Sequence, residues 1–169
     1  MIRTLNIVEY EGCIPRLAAL LIDAVDAGAG VSFMAPLARD VAEAFWRKQV
    51  ADIGSSATVQ FVAEEKGVIA GTVLLQKAWA PNQPHRAEVA KLLVHRDFRR
   101  KGLGTQLMQA LEGKARALGL KLITFDAVAH GDVEKFYRNL GYTFAGTIPN
   151  YAYANGKLDD TALFYKDLN

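Results

Sequence analysis

Residues Val89 to Gly104 read V-A-K-L-L-V-H-R-D-F-R-R-K-G-L-G. An apolar run to Val94 gives way to a basic link, Arg96 to Lys101, and then to Gly102-Leu103-Gly104. Beyond it Leu103, Leu107, Ala110, Leu111, Ala115 and Leu118 recur at helical spacing, up to a stop at Gly119. That is a strand, a tight glycine turn and a helix. Glycine lets the main chain turn sharply and lets a ligand approach it closely. The first turn of the helix offers free N–H groups and the positive end of the helix dipole. Such a turn is an anion site, most naturally for phosphate or pyrophosphate; it can equally be a basic surface turn that opens a helix. The stretch lacks the terminal Lys-Ser/Thr of a P-loop and the acidic residue of a dinucleotide fingerprint in its usual strand context. A phosphate-bearing ligand bound here would be neither a Walker-type nucleotide nor an ordinary NAD.

The rest of the chain supplies a frame for this unit. Its 169 residues suffice for one domain with a sizeable core, and 51% hydrophobic against 22% charged residues is a globular composition. We therefore expect a single domain, 1–169. A net charge of +2 is too small to imply nucleic acid without a focused patch. The one patch, Arg96 to Lys101, is accounted for by a small polyanion. The single cysteine, Cys13, allows no internal disulfide and fits a reducing cytoplasm. Neither a signal peptide nor an apolar stretch of membrane-spanning length is visible.

In chain order, Met1 to Glu9 reads as a strand. Pro15 then sits in the first turn of a helix that stops near Gly28 and Gly30. The loop Gly28 to Leu37 carries Val31, Phe33, Met34 and Leu37, side chains that either line a pocket or pack over the core. A second helix covers Ala38 to Ile53. Thr58 to Glu64 and Val68 to Lys77 form an antiparallel hairpin, with Gly71 marking a bulge or a close approach. Trp79 to Arg86 is a loop, followed by the strand Ala87 to Val94. After the helix that opens at Leu103 come a strand, Leu120 to Val128, and a short helix opened by Gly131 and Asp132 and ended by Gly141. A short strand Tyr142 to Ala145, a loop Pro149 to Lys157 and a last strand Thr161 to Lys166 complete the chain. The fold class is α/β, one mixed sheet with helices on both faces.

Two motifs then show a resemblance. Arg99-Arg100-Lys101-Gly102-Leu103-Gly104 is similar to the Arg/Gln-x-x-Gly-x-Gly/Ala signature of the GCN5-related N-acetyltransferase (GNAT) superfamily. Phe136-Tyr137-Arg138-Asn139-Leu140-Gly141-Tyr142 resembles its later Phe-Tyr-x-x-x-Gly-Tyr motif. The resemblance covers essentially the whole chain and implies a sheet that splays after the fourth strand, with acetyl-CoA held at the splay. It implies that the backbone from Arg99 to Thr105, including Arg100, Lys101, Gly102, Leu103 and Gly104, holds the pyrophosphate. Leu92, Leu93 and Val94 would pair with the pantetheine arm. Three further stretches, G-A-G-V-S-F-M-A, R-A-E-V-A-K-L-L-V and the tail I-P-N-Y-A-Y-A-N-G-K-L-D-D-T-A-L-F-Y-K, resemble a toxin-resistance branch of the superfamily that acetylates a tabtoxinine-β-lactam acceptor.

The resemblance implies an acetyltransferase that passes acetyl to an amine or hydroxyl of a small molecule. Acylation of a protein or peptide amine, or CoA sensing without catalysis, are the alternatives. The reaction needs a base for the nucleophile, a donor for the leaving thiolate and a donor for the developing oxyanion. Glu88, set inside an apolar strand, and Asp126, at the end of another, are the candidate bases and substrate ligands. Pairing with Lys91 or Arg86 is the structural alternative for both carboxylates. Tyr137 is the family's thiolate donor and adjoins the cofactor. His130 stands where many relatives carry Asn and can contact cofactor. Phe33, Met34 and Tyr151 are candidate acceptor contacts. No metal-ligand spacing appears. Exposed apolar residues on the last strands are compatible with a homodimer, and no nucleic-acid or membrane partner is expected.

Overall fold

A computed structural model describes residues 1–129, 132–154 and 156–169, with Ala154 described in its backbone alone. Seven strands form one sheet in the order β1-β2-β3-β4-β5-β7-β6. They are β1 (Ile2–Thr4), β2 (Thr58–Glu65), β3 (Val68–Lys77), β4 (Arg86–Val94), β5 (Leu122–Val128), β6 (Thr143–Ala154) and β7 (Lys157–Asp167). The helices are α1 (Ile7–Asp26), α2 (Arg39–Lys48), α3 (Val50–Gly54), α4 (Leu103–Ala117) and α5 (Asp132–Asn139). A single 3₁₀ turn, Arg96–Phe98, leaves β4. None of the described helices is long and apolar enough to cross a membrane.

Each face of the sheet buries its own cluster. Leu107, Met108, Leu111 and Ala115, one stripe of α4, pack on Val73, Val89, Ile123 and Phe164. On the other face Leu17, Leu20 and Leu21 of α1, with Trp46 of α2, cover Val62, Leu74 and Leu93. A helix in each layer explains why the central strands read as nearly continuous apolar runs.

Four elements depart from the sequence reading. Helix α1 begins at Ile7, inside the expected first strand, because Asn6 and Glu9 form a capping box. The Asn6 side chain accepts from the Glu9 N–H at 3.0 Å, and the Asn6 N–H donates to the Glu9 carboxylate at 3.1 Å. Pro15 consequently lies in the helix interior. It faces solvent, where water can take up the Glu11 carbonyl that it leaves without an amide partner. The expected helix Ala38 to Ile53 is broken at Gln49 into α2 and α3. The expected loop from Pro149 lies largely within β6. Between the pairs Ile148↔Thr161 and Ala152↔Asp159, β6 carries two more residues than β7. That bulge holds Pro149 and left-handed Asn150, which has φ 54°.

The hairpin of β2 and β3 forms as expected. Gly71 marks both features proposed for it: the register skips a residue beside it, and an added Cβ would stand 3.0 Å from the Leu93 carbonyl oxygen.

Candidate active site

The site begins where two strands part. β4 and β5 run parallel and pair only over Arg86↔Leu122, Ala87↔Ile123 and Glu88↔Thr124. Beyond Glu88 the β5-facing edge of β4 has no strand partner among the described residues, although β3 still pairs with its other edge. The gap opens a cavity of about 740 Å³, within the range of small-molecule sites. Its walls are Val89 to Val94, Phe125 to Val128, the loop at Gly30 to Ser32 and the first turn of α4. Cavity and turn meet because α4 starts directly after β4 and the 3₁₀ turn.

The turn is built as an anion cradle. Gly102 is left-handed, φ 76°, and turns the chain into α4; Leu103, Gly104 and Thr105 present the first helical turn to the cavity. An added Cβ at Gly104 would stand 3.4 Å from Phe136, so α5 closes against this turn. Arg99 and Arg100 line the cavity. Arg99 also donates to the Val94 carbonyl at 3.0 Å, and Arg100 reaches Asp132 at 3.2 Å. The Lys101 side chain, unlike those of Arg99 and Arg100, does not line the cavity. Its ammonium donates back to the Asp97 carbonyl at 2.8 Å and lies over the ring of Phe98.

The lead into this loop is anchored from behind. The carboxylate of Asp23, in the last turn of α1, accepts from the Arg96 backbone N–H at 3.0 Å and also from the Arg96 guanidinium. One side chain therefore ties the end of α1 to the start of the glycine turn.

Tyr137 projects from α5 into the same cavity and is 7% exposed. Phe125 packs against its ring at 4.4 Å between centroids and Phe164 at 5.4 Å. Burial, with a smaller contribution from the negative charge of Asp126, pushes its phenol pKa well above the ordinary value. The phenol stays protonated and can donate. Among the described residues it has no hydrogen-bond partner, which leaves it available to a ligand.

The two carboxylates are not equivalent. Glu88 and Asp126 share a sheet face, because Glu88 is in register with Thr124, two residues before Asp126. Asp126 lines the cavity and lies 3.0 Å from the Thr161 hydroxyl. Glu88 does not line it: its exposed carboxylate takes the Arg86 guanidinium at 2.7 Å, and Arg86 also holds Thr124 at 2.7 Å. The structural pairing considered for Glu88 is thus the one observed. Leu92, Leu93 and Val94 all line the cavity, and Leu93 also belongs to the buried α1-side cluster.

The acceptor candidates divide as well. Phe33 packs over the α1-side core and edge-on to Phe45, at 5.4 Å between centroids. Met34, an exposed side chain, faces a small pocket of about 100 Å³ beside Gly156, outside the main cavity. Tyr151 is exposed on the β6–β7 arm and touches neither pocket. The arm carries it away from the splay because β6 continues as a strand where a returning loop was expected. His130 lies outside the described residues. Sequence reasoning treated Lys91 only as a partner for carboxylates; its place among apolar neighbours in a central strand was the available signal.

The profile of the acetyltransferase (GNAT) family matches residues 32–142, so the chain belongs to that family. An uncharacterised N-acetyltransferase of the hisH–hisA intergenic region in Azospirillum brasilense is 35% identical over 62% of this chain and 61% of its own length. The N-alpha-acetyltransferase 80 of Mus musculus is 36% identical over 48% of this chain and 25% of its own length. The L-methionine sulfoximine/L-methionine sulfone acetyltransferase of Pseudomonas paraeruginosa is 33% identical over 54% of each chain. The chain thus spans between about a quarter and three fifths of these curated relatives. The yncA protein of Salmonella typhimurium, solved with acetyl-CoA, superposes with a TM-score of 0.81 at 19% identity, over 100% of this chain and 94% of that one. This structural likeness shows the fold.

Proposed function

We propose that residues 1–169 act as one acetyl-CoA-dependent acetyltransferase domain whose acceptor is the amine of a small molecule. The observation that carries the reading is the parting of β4 and β5 directly beneath a glycine turn, with Asp126 and Tyr137 on the walls of the opening. The residues present fit acetyl-CoA. The unpaired edge of β4 can bond the amides of a pantetheine arm, and the N–H groups from Leu103 to Thr105, beside Arg99 and Arg100, can take a pyrophosphate. Bound acetyl-CoA supplies the thioester carbonyl at which the acceptor amine replaces sulfur.

The chain's own groups do the rest. Asp126 takes the proton that the acceptor nitrogen loses, directly or through water. The Tyr137 hydroxyl gives its proton to the departing sulfur and regains one from solvent. An N–H on the unpaired edge of β4 can receive the developing oxyanion. Glu88, on the same sheet face, orients the incoming ammonium rather than acting within the cavity. Membership of the family and the yncA likeness support acetyl-CoA as donor.

The finer reading is an amino-acid-like toxin or antibiotic, of the tabtoxinine-β-lactam type. The resemblance of three stretches to a tabtoxin-resistance acetyltransferase supports it, as does a relative named for methionine sulfoximine and sulfone. Detoxification in the cytoplasm would be its role. A second reading, acetylation of a protein or peptide amine, has the mouse relative and the exposed face of β6 and β7 in its favour.

The test is thiol release from acetyl-CoA across a panel of amines, amino acids, peptides and tabtoxinine-β-lactam. Asp126→Asn and Glu88→Gln are run beside the parent. Turnover of small amines should fall about 100-fold or more in Asp126→Asn and less in Glu88→Gln. Turnover of peptides alone would select the second reading, and tight acetyl-CoA binding with no turnover on any acceptor would overturn both.

A further inference from the structure

Lys91 occupies a place that the chemistry above does not use. The β3–β4 register steps from Leu74↔Ala90 to Thr72↔Leu93, so β4 carries one extra residue at Lys91 and Leu92. Lys91 has φ 50°, a left-handed conformation that is strained for an L-residue. Before the bulge, Ala87 and Val89 face the α4-side cluster; after it, Leu92 and Val94 do. The parity of the strand switches, and Lys91 is the residue at the switch.

This geometry sends the lysine to the opposite face, toward the loop that follows α1. Its Nζ lies 3.3 Å from the Ser32 hydroxyl, 5.3 Å from the Phe45 ring centroid and 5.9 Å from that of Phe33. Ser32 is itself left-handed, φ 71°. Two L-residues in strained conformations thus meet at one wall of the cavity, and both line it. Strain of this kind persists where the surroundings impose it, and it concentrates at binding sites.

The ammonium is poorly matched by the protein alone. It is a triple donor with one hydroxyl partner and two aromatic faces, and among the described residues it has no ion pair. Burial shifts its pKa down, opposed by the negative charge of Asp126. Asp126 forms no ion pair with it; that carboxylate takes the Thr161 hydroxyl at 3.0 Å. A half-buried cation on the cavity wall, with donors to spare, is placed to receive an anion supplied from outside. The acceptor end of the cavity therefore has a positive pole at Lys91 and a negative pole at Asp126.

We propose that Lys91, assisted by the Ser32 hydroxyl, is the specificity-determining residue that receives the carboxylate of a zwitterionic acceptor whose amine faces Asp126. The acceptor class is then an α-amino acid with a polar side chain, in preference to a simple amine. This inference rests on acetyl transfer to a small amine.

The experiment compares two acceptors that differ in one group: L-methionine sulfone and its decarboxylated amine. The parent, Lys91→Met, Lys91→Arg and Ser32→Ala are each assayed for kcat and KM, with near-UV circular dichroism to confirm native packing. The parent should prefer the amino acid by about 10- to 100-fold in kcat/KM, the value of one charge-assisted pair. In Lys91→Met that ratio should collapse toward one, mainly through KM for the amino acid. Lys91→Arg should restore part of it, and Ser32→Ala should reduce it a few-fold. A parent that acetylates both compounds equally would overturn the inference and leave the enzyme reading standing. So would a Lys91→Met that loses both activities in the same proportion. A parent that acetylates neither compound while acetylating peptides would overturn the small-molecule reading, and this inference with it.

Discussion

Tyr137 owes its chemistry to its neighbours. A phenol walled by Phe125 and Phe164 cannot ionise cheaply, so it is held as a proton donor. Tyr137→Phe should lower kcat about 100-fold while leaving acetyl-CoA affinity within about twofold, as steady-state kinetics and calorimetric titration would report. Tyr10 and Tyr142 are buried too, and burial raises their pKa values in the same direction. In each case the folded pKa lies above that of the unfolded chain, about 10. The unfolded state therefore loses these protons first. The associated stability is present in full below about pH 10 and is lost as pH rises toward the folded values. Urea midpoints should be insensitive to these groups from pH 7 to 9 and should fall beyond pH 10, with a shallower fall in Tyr142→Phe. The place of Tyr137 on the cavity wall was legible from its motif. The exclusion of Glu88 from the cavity was not, because it depends on an Arg86 guanidinium already tied to Gln83 and Thr124.

At the level of elements, a buried charge joins three of them. Glu112 of α4 accepts from Lys166 of β7 at 2.8 Å, and Lys166 also donates to the Leu140 carbonyl, just past α5, at 2.7 Å. The side chains of both are largely buried, with Arg116 at 3.6 Å from the same carboxylate. Lys166→Met should cost about 3 kcal/mol in chemical denaturation, since it strands a buried carboxylate, and adding Glu112→Gln should recover part of the loss. Sequence pattern located β3, β4 and α4 to within a residue or two at either end. Their glycines and apolar periods agree with the tertiary structure. It failed at α1, where Ile7 and Val8 suggested a strand although Asn6 and Glu9 specified a cap. It failed again at β6, where Pro149 to Lys157 read as a loop but the ladder absorbs Pro149 and Asn150 in a bulge. Local turn chemistry and a bulge within a long hairpin look alike until the partner strand is known.

Over the whole molecule, the sheet has two regimes. From β1 to the start of β4 it is continuous and covered on both faces, and this half fixes the glycine turn through Asp23 and Arg96. From β5 onward, β7 and β6 form a second wing whose exposed face carries Leu163, Tyr165 and Ile148. The wings touch through only three register pairs, Arg86↔Leu122 to Glu88↔Thr124, and the cavity is what that short contact leaves open. No periodicity in the sequence announces a parting of strands. Family resemblance supplied the expectation, and the register shows where it happens.

The most direct test is hydrogen–deuterium exchange at single-residue resolution, with and without saturating acetyl-CoA. If the opening between β4 and β5 holds the donor, amides of Leu92 to Val94 and of Leu103 to Thr105 gain protection, while those of the β6–β7 arm around Tyr151 do not. Unchanged exchange at both groups with acetyl-CoA bound, or protection confined to the arm, would contradict the account.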